Sequence, residues 1–132
     1  VALGRKMDMF SIVYVGTPEE AKKMAEAGAD AIIAHVGCTV GGSIGVTDAS
    51  CSLDLAAKKT QEIIDAAKTV RNDIIYLSHG GPILTPEDAA YINEKTDTVG
   101  FVGASSIERI AVEKAITNLT KEFKSIPVKR RG

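Results

Sequence analysis

At 132 residues the chain is long enough for one domain with a core of its own. Its 45% hydrophobic and 25% charged residues make an ordinary globular composition. The net charge of -1 argues against a general nucleic-acid or anionic-membrane binder, and no apolar run approaches the roughly 20 residues of a membrane span.

Strand and helix patterns alternate along the chain. Phe10 to Val15 reads as a buried strand. Thr17-Pro18-Glu19-Glu20 then supplies an N-cap, a proline at the first helical position and a capping-box glutamate. That helix runs through Ala21, Met24 and Ala25 to Gly28, and Ala31 to Val36 forms the second strand. A glycine-rich loop follows from Gly37 to Ser50. A helix is predicted from Asp54 to Val70, then a strand from Asp73 to Leu77. Thr85-Pro86-Glu87-Asp88 opens the third helix and echoes the first. Thr98 to Val102 is the fourth strand. Ser105-Ser106-Ile107-Glu108 caps a last helix to about Lys124, with Ile107, Ile110, Ala111, Ala115, Ile116 and Leu119 as its inner face.

Four βα units with short apolar strands indicate an α/β protein with a parallel sheet. Such a chain is either a small doubly wound sheet or half of a (β/α)8 TIM barrel. The half barrel is favoured. No GxGxxG follows the first strand, where Val15-Gly16-Thr17-Pro18 leads straight into a helix. The polar residues of interest also all follow strands. Residues 1–132 are expected to form this single (βα)4 domain, with 127–132, including Lys129-Arg130-Arg131, a solvated basic tail.

Two strand ends carry glycines: Ser78-His79-Gly80-Gly81-Pro82 and Gly103-Ala104-Ser105-Ser106. Gly80, Gly81 and Gly103 would let bare backbone N–H groups approach an anion, and Ser105 and Ser106 add hydroxyls at a helix start. Tight turns and capping explain the same residues without a ligand. His35 and His79 both end strands, which on a barrel is the active-site rim, and either suits acid–base work near neutral pH. A structural hydrogen bond is the plainer role. Two histidines are too few for a metal unless Asp48 helps. In the long loop, Thr39, Gly41, Gly42 and Ser43 are candidates to contact an anionic or keto-acid substrate, against a plain flexible excursion. Glu108 reads as the capping-box partner of Ser105, Tyr14 and Tyr76 as packing residues, and Arg109 as half of a surface ion pair, the alternative being that it reaches over the site. Cys38 and Cys51 form no CxxC pair. Free thiols in a cytoplasmic setting are expected, a loop-closing disulfide or a Cys38 nucleophile being the alternatives. No secretory leader is visible.

Taken in order, Glu26-Ala27-Gly28-Ala29-Asp30, His35-Val36-Gly37, Thr39-Val40-Gly41-Gly42-Ser43-Ile44-Gly45, Ser78 to Pro82, Thr85 to Ala89 and Gly100 to Arg109 resemble the phosphoenolpyruvate hydrolase-like family. That family is also called TIM-barrel signal transduction proteins. The resemblance spans about Phe10 to Ile126. It implies that the four units are strands five to eight of a barrel, which places the two glycine-bearing ends at the usual barrel phosphate site. It further implies a small phosphorylated or keto-acid ligand, with lyase or hydrolase chemistry if the protein is an enzyme. Magnesium is a candidate cofactor whose ligands would lie mostly in the missing half. The competing reading is a non-catalytic binding or signalling module. A half barrel is expected to close with a second copy or a separately encoded N-terminal half, unless the chain is part of a longer product.

Overall fold

A computed structural model describes residues 1–43, 45 and 51–127 of the chain; Ile44, Asp48 and the basic tail lie outside the described residues. The expected threonine–proline helix starts are present. Helix α2 (Pro18–Glu26) is capped by Thr17, whose side chain accepts the Glu20 N–H. The Glu20 carboxylate takes the N–H of Gly16 at 2.7 Å, one residue before the cap it was expected to serve. Helix α4 (Pro86–Lys95) carries a full capping box, with Thr85 and Asp88 each accepting the other's backbone N–H. Between them, α3 (Leu53–Lys68) starts from a Ser52 cap. A short helix α1 (Ala2–Lys6), not foreseen, precedes the first strand. Its Arg5 donates to the Gly28 carbonyl across the residue whose φ of +90° ends α2.

Strands β1 (Ile12–Val15), β2 (Ala31–His35) and β3 (Ile75–His79) pair in parallel, in chain order. Ile12 sits opposite Ala31, Ala31 opposite Ile75, and His35 opposite His79. The fourth strand contracts to a parallel bridge between Ser78 and Phe101. Three backbone hydrogen bonds hold it there: Val99 N–H to Tyr76 O (2.9 Å), Ser78 N–H to Gly100 O (3.0 Å) and Val102 N–H to Ser78 O (2.9 Å). A doubly wound sheet reverses its strand order at a switch point. Here every strand lies beside its predecessor, which is barrel order.

Helices α2, α3 and α4 pack on one face of the sheet. Val15, Ile32, Ala34 and Tyr76 point into a core with Ala21, Ala25, Ile63, Ile64 and Ala67 of α2 and α3. Val36, Ile83 and Ile92 continue it beneath α3 and α4. Each fully buried isoleucine contributes about 1.5–3 kcal/mol. The alternate residues form the other face, and Ile12, Tyr14 and Ile75 there remain 54%, 53% and 43% exposed. A parallel sheet with helices on one face and an open apolar second face is an arc of barrel wall. The fold is therefore a partial TIM barrel.

The last helix departs from expectation. It divides at Arg109 into α5 (Ser105–Glu108) and α6 (Ile110–Lys124). Ser105 already occupies the first helical turn, with Ala104 as N-cap and no side-chain capping bond, so the Ser105–Glu108 capping box does not form. The expected inner face is not covered: α6 buries no residue, and Ile107, Ile116 and Leu119 are exposed. The hydrogen bonds of its first turn reach the glycine-rich loop.

Candidate functional site

Register builds the site. Because His35 and His79 are direct neighbours on β2 and β3, their rings meet at 5.0 Å between centroids. Tyr14 of β1 packs edge-on against both, at 5.9 and 5.1 Å. His79 is buried, and its Nδ1 lies 2.7 Å from the Val102 carbonyl on the next strand. The Nδ1 of His35 accepts the Gly37 N–H at 3.3 Å. Burial holds the His35 pKa below its ordinary value, and the neighbouring His79 adds to the effect.

Beyond the strand ends the backbones stay stitched together. Val36 N–H donates to His79 O, Gly81 N–H to Gly37 O at 2.8 Å, and Val40 N–H to Gly81 O. Gly80 has φ +83°, and a Cβ there would collide with the Gly37 carbonyl. Gly80 and Gly81 thus have a structural duty in this crossing, and the Gly81 amide is already engaged. Gly103 makes room for the Ile107 side chain.

His35, Cys38, Thr39, His79, Ser105 and Arg109 line one cavity of about 430 Å³ at this rim. Ser106 is half-buried in α5 beside it but does not line it. The predicted Arg109 ion pair is present, to Glu113 one turn on at 3.3 Å. Arg109 also donates to the Gly41 carbonyl at 3.2 Å, and a guanidinium's five N–H groups leave donors over. Glu113 accepts both the N–H and the hydroxyl of Ser43 at 2.8 Å. These bonds, the backbone one foremost, hold its carboxyl below the ordinary carboxylate range. Ser43 and Gly42 therefore belong to a latch between the loop and α6, and Gly41 lends it a carbonyl. The sequence allows Arg109 to reach over the site, with an ion pair as its plainer role, and does not by itself place Glu113 there. Their i, i+4 spacing was the available signal.

Among the described residues no cluster of three or more His, Cys, Asp or Glu is placed to hold a metal ion. Magnesium favours carboxylate oxygens. The described cavity lining offers two imidazoles and a guanidinium but no carboxylate, and Glu113 nearby is taken up by Ser43 and Arg109, so the described residues do not fit that ion. Cys38 and Cys51 are free thiols, and no described helix is long and apolar enough to cross a membrane.

A one-sided parallel βα arc whose polar residues converge at the carboxyl ends of its strands defines a barrel-type domain with a rim pocket. More particularly, the chain belongs to the phosphoenolpyruvate hydrolase-like family, whose sequence profile matches residues 1–126. It is 47% identical over 127 residues to the ToMV susceptible protein tm-1(GCR26) and to the ToMV resistance protein Tm-1(GCR237) of Solanum lycopersicum. Those matches cover 96% of this chain and 17% of each relative, so the chain spans about a sixth of their length. A putative transcriptional regulatory protein, y4pA, of Sinorhizobium fredii (strain NBRC 101917 / NGR234) is 31% identical over 122 residues, covering 92% of this chain and 20% of that protein. Among solved structures, a nitroalkane oxidase from Streptomyces ansochromogenes superposes with a TM-score of 0.47 at 26% identity, over 78% of this chain and 29% of the oxidase.

Proposed function

We propose that the rim cavity binds a small phosphorylated or keto-acid anion. The observation that carries this reading is the convergence of a partly buried guanidinium, Arg109, with His35, His79 and Ser105 on one cavity. A guanidinium is the side chain best suited to grip a carboxylate or phosphate through paired N–H donors. Thr39 and Ser105 supply hydroxyls, and His79 is the acid–base residue if lyase or hydrolase chemistry occurs. A non-catalytic signalling module is the second reading. It is favoured by the absence of a carboxylate pair among the described cavity residues, and it accords with a relative named as a putative regulator. The free thiols fit a cytoplasmic setting. The open face of the sheet and the outer edge of β1 would be covered by the rest of a barrel: a second copy, a separately encoded N-terminal half, or another part of a longer product.

Thermal unfolding with phosphate, phosphoenolpyruvate and pyruvate tests the anion site. At a hundredfold excess over Kd, binding stabilises the fold by about 2.7 kcal/mol. The midpoint should rise with at least one of the three anions, and Arg109→Gln should abolish the rise. No rise with any of them rejects the reading. A rise without turnover selects the signalling module.

A further inference from the structure

The two histidines face the cavity with opposite hydrogen-bonding character, and the backbone decides which is which. A carbonyl oxygen can only accept, so the short contact to Val102 O requires a proton on Nδ1 of His79. The neutral ring then has a bare Nε2. A backbone amide can only donate, so the Gly37 N–H requires a lone pair on Nδ1 of His35. Its neutral ring carries the proton on Nε2. Among the described residues, neither Nε2 has a hydrogen-bond partner.

A carboxylate or a fully ionised phosphate offers acceptors only. It would satisfy His35 and set its charge against the lone pair of His79. A hydroxyl both donates and accepts, so it suits the two rings together. The charged end of a ligand then belongs to Arg109, the cation that lines the same cavity. Other groups near the pair do not change this polarity. Tyr14 meets both rings edge-on, and Cys38 and Thr39 sit on the cavity wall. Burial, together with the second imidazole, lowers the His35 pKa and so favours its neutral form.

We infer that the cavity selects a short hydroxy acid, with the hydroxyl donating to Nε2 of His79 and accepting from Nε2–H of His35 while the carboxylate pairs with Arg109. This rests on the Arg109 anion site proposed above and assigns the group beside the carboxylate as a hydroxyl in place of a keto oxygen or phosphate. The polarity itself is checked without any ligand. Long-range ¹⁵N–¹H spectra of the imidazoles in the full chain at neutral pH should show an Nδ1–H tautomer for His79 and an Nε2–H tautomer for His35. The same tautomer in both rings overturns the inference.

The ligand class is then read by titrating glycolate and acetate, which differ by the hydroxyl, and following chemical shifts. Glycolate should bind about tenfold tighter, the size of one net hydrogen bond. His79→Asn keeps a donor for Val102 and removes the Nε2 acceptor. It should cut the preference to about twofold or less while acetate binding persists. Equal affinities in the unaltered chain overturn the hydroxy-acid inference and leave the anion site standing. No binding of either acid overturns the hydroxy-acid inference, and the anion site falls with it only if phosphate, phosphoenolpyruvate and pyruvate also fail to raise the unfolding midpoint.

Discussion

Helices α3 and α6 are nearly equal in length, 16 and 15 residues, and both are amphipathic. Their surroundings differ completely. α3 buries Ala56, Ala57, Thr60, Ile63, Ile64, Ala66 and Ala67 between its neighbours and the sheet. α6 buries nothing, and Val112, Ile116, Leu119 and Phe123 form an exposed stripe along it. Apolar packing holds the first helix, whereas α6 makes its described cross-chain contacts through the Arg109, Glu113 and Ser43 hydrogen bonds near its start. An amphipathic pattern declares that a helix has a face to cover. It does not say that the cover lies in the same stretch of chain.

The largest test of this contrast is a pair of truncations. Ile64 is 0% exposed on α3, and Ile64→Ala should cost about 2–5 kcal/mol in urea unfolding. Ile116 is 61% exposed on α6, and Ile116→Ala should stay within about 0.5 kcal/mol. If the second cost approaches the first, and grows with protein concentration, α6 packs on another chain and the contrast disappears.

A smaller effect compares helix starts. Thr85→Ala breaks the capping box of α4 and should lower stability by about 1 kcal/mol. Ser105→Ala, where no capping bond exists, should change it by less than about 0.5 kcal/mol. Equal losses would show that α5 is capped in solution after all.

The smallest effect concerns the latch. The Glu113 carboxyl has a folded pKa below its ordinary 4.5. Its stabilising contribution is therefore complete above that ordinary value and is lost as pH falls through the lower folded one. Acid titration should release the Ser43 amide, read by its chemical shift, below the range of a free glutamate. Glu113→Gln should show no such step. A Ser43 step at the ordinary glutamate pKa would mean that the loop is not attached to α6.

Much of the fold was legible because its signals are local. Thr17-Pro18 and Thr85-Pro86 mark helix starts through their own backbone chemistry, and both helices begin there. The apolar runs at β1, β2 and β3 need only the sheet beside them. The latch beside the division at Arg109 was not legible, because its partners Gly41 and Ser43 lie some seventy residues earlier in the chain. The site was legible in part. That His35 and His79 end strands follows from pattern, but their contact follows from register, which no single segment encodes. The ring protons were beyond sequence altogether, since the Gly37 and Val102 backbone groups that decide them are set by tertiary structure.

The strand order described above also has a meaning in time. In this sheet the hydrogen-bonded neighbour of each strand is the strand written just before it. No strand has to wait for a distant one, and no unit must be inserted between two already formed. The sheet can grow by accretion at one edge, each βα unit templated by its predecessor, with no register to be found across a gap. The weakly paired Phe101 segment stands at the growing edge, so synthesis and assembly can run in the same direction.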